Sequence, residues 1–97
     1  MTSKQRSYLM SLAQKLSPVA QVGKAGVTPE VTQSVTEAFN TRELIKINVQ
    51  KNCFDDKREL AETLAGRTQS EPVQVIGNKI VLYKPFKDPA ARKILLP

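Results

Sequence analysis

The chain has 97 residues, the length of one small domain, and it contains a single Cys, no His and no Trp. These absences exclude an internal disulfide, a Cys/His zinc site and the Ser–His or Cys–His pairs of common nucleophilic catalysis. Lys and Arg number 15 against 9 Asp and Glu, so the net charge is +6. That charge is typical of nucleic-acid-binding domains and is also compatible with solubility alone.

The N-terminal residues and the apolar runs do not predict export or membrane insertion. Residues 1–6 lead into a polar helix and lack the apolar core of a signal peptide. The longest apolar run, residues 80–83, is far shorter than the about 20 residues of a membrane-spanning helix. We therefore expect a soluble, cytoplasmic protein.

The first half of the chain alternates between helical and extended patterns. Apolar residues on one face predict a first helix over 2–16, which Pro18 ends. Residues 19–22 are predicted to form a short strand. A capping Thr28, followed by Pro29 and an acid, predicts the start of a second helix. Clean alternation over residues 44–50 then predicts a half-buried strand.

The second half predicts one helix and a hairpin. Asp55 and Asp56 open a third helix, because acids at a helix start cap its amides and complement the helix dipole. Residues 72–76 and 79–83 are predicted strands joined by a two-residue turn. Residues 84–97 are interpreted as an extended basic tail that lies on the domain.

The element order α-β-α-β-α-β-β predicts a single α/β domain over residues 1–97, with a four-stranded mixed sheet and three helices. Crossovers between parallel strands are nearly always right-handed. If both crossovers step in the same direction, the second and third helices lie on one face of the sheet. The alternation in 45–50 favours that arrangement and predicts an opposite face that is partly open and polar.

The candidate functional motif is a GxxG loop, Gly23-Lys24-Ala25-Gly26, between the first strand and the second helix. Glycines allow a tight turn and close approach, and the amides of such a turn point toward an anion. Lys24 adds a positive charge, so the loop is suited to a nucleic-acid phosphate held without base recognition. A plain turn between a strand and a helix would also use two glycines, and this interpretation stays open.

Other glycine-rich phosphate motifs are excluded by spacing. A P-loop has four residues between its glycines and then Lys-Ser/Thr, whereas this loop has two. The dinucleotide fingerprint begins with glycines separated by one residue. We therefore expect no nucleotide cofactor, no metal and no small-molecule substrate.

An ordered set of segments resembles the CRM domain (chloroplast RNA splicing and ribosome maturation) in its stand-alone bacterial, YhbY-like form. The resemblance covers nearly the whole chain and is carried by Gly23-Lys24-Ala25-Gly26-Val27-Thr28 after a strand, Glu43-Leu44-Ile45-Lys46, Val73-Gln74-Val75-Ile76-Gly77, Val81-Leu82-Tyr83-Lys84-Pro85, and the ending Lys93-Ile94 and Leu96-Pro97. One departure is that members often end the third helix with Thr-Gly, whereas here Thr68 precedes Gln69.

The resemblance implies an RNA-binding domain whose fold is akin to the C-terminal domain of a bacterial translation initiation factor. It also implies an association with precursors of the large ribosomal subunit. By position, the RNA-binding residues would be the GxxG loop and the basic surface of the first helix, namely Lys4, Arg6 and Lys15. The KH family places its GxxG loop between two helices, whereas a strand precedes this one.

The remaining candidates are basic and aromatic side chains. The last fifth of the chain contains five basic residues, Lys79, Lys84, Lys87, Arg92 and Lys93. They either extend an RNA-binding surface or keep the tail solvated. We include Lys84 among the predicted RNA contacts. Phe54 and Tyr83 are expected to pack in the core. Phe86, next to Lys87, is the aromatic residue that we predict as a candidate for stacking on a base. Cys53 is interpreted as a passive thiol.

These features favour a non-catalytic RNA-binding protein that binds ribosomal RNA during assembly of the large subunit. The alternative is a protein-interaction or structural component of the ribosome. A small nuclease is disfavoured, because such enzymes use a general base and clustered carboxylates on a metal, whereas the acids here are scattered over helices and loops.

Overall fold

The computed structural model describes all 97 residues and contains the predicted elements in the predicted order. The helices are α1, α2 and α3, the strands are β1 to β4, and a short 3-10 turn follows; their bounds are α1 (Ser3–Ala13), β1 (Ala20–Val22), α2 (Pro29–Ala38), β2 (Leu44–Val49), α3 (Lys57–Thr68), β3 (Glu71–Ile76), β4 (Lys79–Tyr83) and the 3-10 turn (Pro89–Ala91). None of the helices combines the length and apolarity needed to cross a bilayer.

The four strands form one mixed sheet in the order β1-β2-β4-β3. Strands β1 and β2 are parallel, and β4 is antiparallel to both β2 and β3. The two helical crossovers therefore step in the same direction, and the second one leaves room for β4 between β2 and β3. This confirms the predicted α/β class, with three helices and a four-stranded mixed sheet.

The main core lies between the sheet and the helix pair α2 and α3. Ile45, Ile47 and Val49 of β2 are almost fully buried and belong to the same apolar cluster as Val35 of α2 and Leu64 of α3. Each large apolar side chain buried in this way contributes about 1.5–3 kcal/mol. The predicted placement of both helices on one face is confirmed.

The opposite face of the sheet is divided into a covered end and an open end. Helix α1 covers the end at which β2 begins, where Leu9 and Ala13 pack in a smaller cluster with Leu44 and Tyr83. Further along β2, Lys46 and Asn48 point to the same side as Leu44 and are only half-buried. The prediction of a partly open, polar face is confirmed for this second part of the sheet.

The C-terminal tail is fixed to the domain by Glu43, whose side chain is 3% exposed. The two carboxylate oxygens accept hydrogen bonds from the backbone N–H groups of Phe86 (3.1 Å), Lys93 (2.6 Å) and Ile94 (3.0 Å). Ile94 also packs against the small cluster under α1. The tail therefore lies on the domain, and no local sequence pattern indicates the carboxylate that holds it.

Candidate nucleic-acid interface

The GxxG loop leaves the sheet where the parallel strands β1 and β2 end together. The backbone N–H of Gly26 donates to Gly23 O at 3.0 Å and closes a tight turn. Gly26 has a φ of +72°, a conformation that residues with a side chain rarely adopt, whereas Gly23 does not have a positive φ. Of the two glycines, therefore, only Gly26 is required by the backbone conformation.

The tip of the loop is available to a ligand. Lys24 and Ala25 are exposed, and their backbone N–H groups have no acceptor within the protein. The start of α2 is already occupied, because Thr28 Oγ1 accepts from the N–H of Val31 at 3.2 Å and Glu30 places a negative charge in the first turn. An anion would therefore meet the loop amides and the Lys24 ammonium rather than the helix terminus.

The chain between β2 and α3 packs against the back of the loop. The backbone N–H of Gln50 donates to Val22 O at 2.8 Å and continues the pairing beyond the end of β1. A Cβ on Gly26 would lie 2.8 Å from Asp55 Oδ2, so a side chain there would require this carboxylate to shift. Asp55, Asp56 and Glu59 make this side of the loop acidic. A phosphate is therefore expected on the Lys24 side.

The basic residues predicted on α1 differ in their surroundings. Lys4 and Lys15 are exposed. The guanidinium of Arg6 donates from one nitrogen to Pro72 O at 3.0 Å and to Val73 O at 2.6 Å, where the register of edge strand β3 is interrupted. Arg6 thus supplies donors to edge carbonyls, and its role in RNA binding stays a prediction.

Lys84, the predicted contact from the tail, also has a partner within the fold. Its ammonium donates to Thr68 O at 2.9 Å, at the last residue of α3. A cation at this position complements the negative end of the helix dipole. Lys84 is half-buried, and no observation assigns it to a ligand.

The structure does not bring Lys4 or Lys15 to the GxxG loop, and because α1 ends at Ala13, Lys15 lies in the turn after α1 rather than in the predicted 2–16 helix. Lys15 lines a recess with Arg42 and Leu44, at the start of β2, whereas the loop lies beyond the end of β1. Five residue steps along β2 correspond to about 17 Å at about 3.3 Å per residue. A single phosphate cannot span that separation, but an RNA strand running across the sheet can.

The polar part of the open sheet face lies between these two ends. Asn48 Nδ2 donates to Gln21 Oε1 at 2.6 Å, and Lys79 Nζ donates to Asn48 Oδ1 at 2.5 Å. This row crosses β1, β2 and β4 and contains no buried apolar side chain. The open face therefore forms a polar surface between the loop and α1.

The aromatic residues do not lie where the sequence suggested. Tyr83 is buried as expected, but the prediction that Phe54 packs in the core is wrong, because 91% of Phe54 is exposed. Phe86, the expected stacking residue, is half-buried. Of the two adjacent residues, Cys53 is the buried one, at 7% exposure.

Asp56 and Cys53 have structural roles in the fold. Asp56 Oδ1 accepts from the backbone N–H of Arg58 at 2.8 Å and caps α3, which confirms the predicted capping role. Cys53 is a buried free thiol. No three Cys, Asp or Glu side chains come together in a way that could hold a metal ion.

The fold and the loop together define a class of protein: a small basic α/β domain that presents a GxxG turn at the edge of a mixed sheet. Residues 1–84 match the family model of the CRS1 / YhbY (CRM) domain. The chain belongs to this family.

Relatives with similar sequences carry names that refer to RNA. The chain is 47% identical over 88 residues to Bacillus subtilis (strain 168) YqeI, named a probable RNA-binding protein, covering 91% of this chain and 92% of that one. It is 34% identical over 97 residues to a Haemophilus influenzae protein named RNA-binding protein, covering 100% and 95%. The solution structure of SAV1595 from Staphylococcus aureus, described as a candidate RNA-binding protein, matches this chain with a TM-score of 0.84 at 46% identity, covering 100% of this chain and 99% of that one.

Proposed function

We propose that this protein is a non-catalytic RNA-binding module of the cytoplasm that binds ribosomal RNA in precursors of the large ribosomal subunit. The observation that carries RNA binding is the GxxG loop, with the exposed Lys24 and Ala25 and their unpaired backbone amides at the edge of the sheet. The names of the relatives and the net charge of +6 support the same ligand. The ribosomal target follows from the resemblance to the YhbY-like proteins.

In this proposal the loop holds one phosphate of the RNA backbone. The amides of Lys24 and Ala25 donate hydrogen bonds to it, and the Lys24 ammonium neutralises its charge. The strand then crosses the polar sheet face toward α1, where the exposed Lys4 and Lys15 meet further phosphates. Such contacts fix the position of the RNA but do not read its sequence.

A binding role without catalysis is supported by the structural roles of two carboxylates, Asp56 and Glu43. Asp56 caps α3, and Glu43 accepts three hydrogen bonds from backbone N–H groups of the tail. These acids hold the fold together and are not free to activate a nucleophile.

The test is binding of the purified protein to ribosomal RNA fragments over a range of salt concentrations. If Lys4, Lys15 and Lys24 each meet a phosphate of single-stranded RNA, the logarithm of the affinity should fall with the logarithm of the salt concentration with a slope of about −2. A slope near zero would overturn the electrostatic basis of the proposal.

The ribosomal target needs a separate test in cells. Crosslinking followed by sequencing of the attached RNA should recover precursors of large-subunit RNA. Substoichiometric presence on mature ribosomes is expected of an assembly protein. Stoichiometric presence there would instead favour the alternative, a permanent structural component of the ribosome.

A further inference from the structure

Phe54 is the most exposed large apolar residue of the protein, at 91% exposure. By contrast, Phe39 and Tyr83 are buried to within 7% and 6% exposure. A Phe ring left in water contributes nothing to the core, so the fold does not explain why an aromatic residue stands here. The ring is free on both of its faces to contact a ligand.

The backbone on either side of Phe54 is held in place. Its neighbour Cys53 is buried, and the Cys53 backbone N–H donates to Gln50 O at 3.0 Å. Two residues after Phe54, Asp56 caps α3 through the N–H groups of Arg58 and Glu59. The ring therefore projects from a short anchored segment, which lowers the conformational entropy that a ligand must restrict on binding.

Phe54 also lies beside the GxxG loop. The carboxylate of Asp55, the next residue, faces Gly26, and the side chain of Asn52 lies near Gly23, with Asn52 Oδ1 3.9 Å from the position of a Cβ on that glycine. The Cα atom of Phe54 is one peptide unit, about 3.8 Å, from that of Asp55. A nucleotide bound at Lys24 would thus have the ring within reach of a neighbouring base.

The charges around Phe54 favour a base over a phosphate as its partner. Asp55 and Asp56 follow it directly, whereas the exposed lysines of this region are Lys24 and Lys51. Carboxylates repel a phosphate but do not prevent an uncharged base from stacking on the ring. Stacking tolerates every base, because all bases have a π-face.

We infer that Phe54 is a stacking platform for an unpaired RNA base adjacent to the nucleotide whose phosphate is held by the GxxG loop. This inference rests on the proposed function and adds a ligand class, single-stranded RNA. In a duplex the bases are already stacked and paired, so the platform should favour single strands over duplexes.

The experiment compares Phe54→Ala, Phe54→Leu and Phe54→Trp with the native protein, using a short oligouridylate and a blunt RNA duplex. Because the protein has no Trp, Phe54→Trp introduces a unique fluorophore at the proposed contact. We expect this variant to keep its affinity and its emission to be quenched by oligouridylate. Phe54→Ala and Phe54→Leu should lose about fivefold or more in affinity for oligouridylate and little for the duplex.

The matched pair Phe54→Leu and Phe54→Trp separates stacking from apolar contact, because only Trp retains an aromatic face. The Tm of each variant should equal that of the native protein, because the Phe54 side chain makes few contacts. Native affinity in Phe54→Leu, or unquenched emission in Phe54→Trp bound to oligouridylate, would overturn the inference.

A further variant distinguishes failure of this inference from failure of the proposed function. Ala25→Asp places a carboxylate at the exposed tip of the loop. If it weakens binding while Phe54→Ala does not, the loop binds RNA and the stacking platform is wrong. If the native protein binds neither RNA, the proposed function and the inference both fail.

Discussion

The carboxylate of Asp55 stands where a side chain on Gly26 would begin, 2.8 Å from the position of its Cβ. Gly26 also has a φ of +72°. The left-handed conformation therefore requires glycine at the end of the GxxG loop, and any side chain there would also require the exposed Asp55 carboxylate to move. A substitution at Gly26 changes stability whatever it does to ligand binding.

We predict that Gly26→Ala lowers the free energy of unfolding by about 1–2 kcal/mol from the left-handed conformation alone, with an added steric cost from Asp55. In an Asp55→Ala background the steric part should disappear and the conformational part should remain. Urea unfolding of the two single variants and the double variant measures both. If Gly26→Ala lowers the free energy of unfolding equally in both backgrounds, the Asp55 carboxylate moves aside without a measurable loss of stability.

Ala25 offers a cleaner test of the loop as a phosphate site. It is exposed, and it does not have a positive φ, so a side chain there is tolerated by the backbone. Ala25→Asp should weaken RNA binding by about 1 kcal/mol, the repulsion of two charges about 4 Å apart in water. Ala25→Asn has nearly the same shape without the charge and is the control. Equal affinities of the two variants would place the phosphate elsewhere.

The sequence predicted features that depend on local patterns. Periodicity located the three helices and the half-buried strand β2, and the glycine spacing located the loop. Contacts between residues far apart in sequence could not be predicted. Arg6 bonds a carbonyl 67 residues away, and Glu43 bonds an amide 51 residues away. Nothing local distinguishes these two charged residues from those of a solvated surface.

The exposure of Phe54 could not be predicted for a similar reason. A loop between a strand and a helix needs one apolar anchor, and both Cys53 and Phe54 could serve. The larger side chain is the better candidate by hydrophobicity, but the structure buries Cys53 against the main cluster. Which of two adjacent residues points inward is set by the path of the loop, which no periodic pattern reports.

The tail provides a prediction about a buried carboxylate. Glu43→Gln replaces one acceptor oxygen by an NH₂ group, which would face a backbone N–H donor of the tail. We expect a loss of about 1–3 kcal/mol in unfolding free energy, because a buried donor is left unsatisfied. Amide hydrogen exchange at Lys93 and Ile94 should accelerate. Glu62→Gln, on the exposed side of α3, is the matched control and should change neither measurement.

Tyr83 links stability to alkaline pH. Burial raises the pKa of its hydroxyl above 10.0, and the nearby Glu43 carboxylate raises it further. Above about pH 10 the unfolded chain therefore loses this proton more readily than the folded protein, so the free energy of unfolding should fall as the pH rises. Tyr83→Phe should remove this part of the pH dependence and leave stability near pH 7 little changed. The free energy of unfolding from urea titrations, plotted against pH between about 9 and 11, measures this dependence. If it falls equally steeply for both proteins, the prediction is contradicted.

The end of α3 contains a residue with a strained backbone conformation. Gln69 has φ 56° and ψ 44°, the left-handed conformation that commonly ends a helix. The backbone N–H of Ser70 donates to Ala65 O at 2.9 Å, so the turn forms despite the Thr68-Gln69 sequence. The left-handed conformation of Gln69 therefore ends α3 and directs the backbone into β3, despite its cost in free energy.

Gln69→Gly should relieve this strain. We expect the free energy of unfolding to rise by about 0.5–1 kcal/mol, the relief of the left-handed conformation less the extra entropy that glycine gives the unfolded chain. For a domain of this size that corresponds to an increase of a few degrees in Tm. Gln69→Ala removes the same side chain but keeps a Cβ in the left-handed region, so it should not stabilise the protein. If both variants shift Tm equally, the Gln69 side chain rather than its backbone conformation controls the stability of this turn.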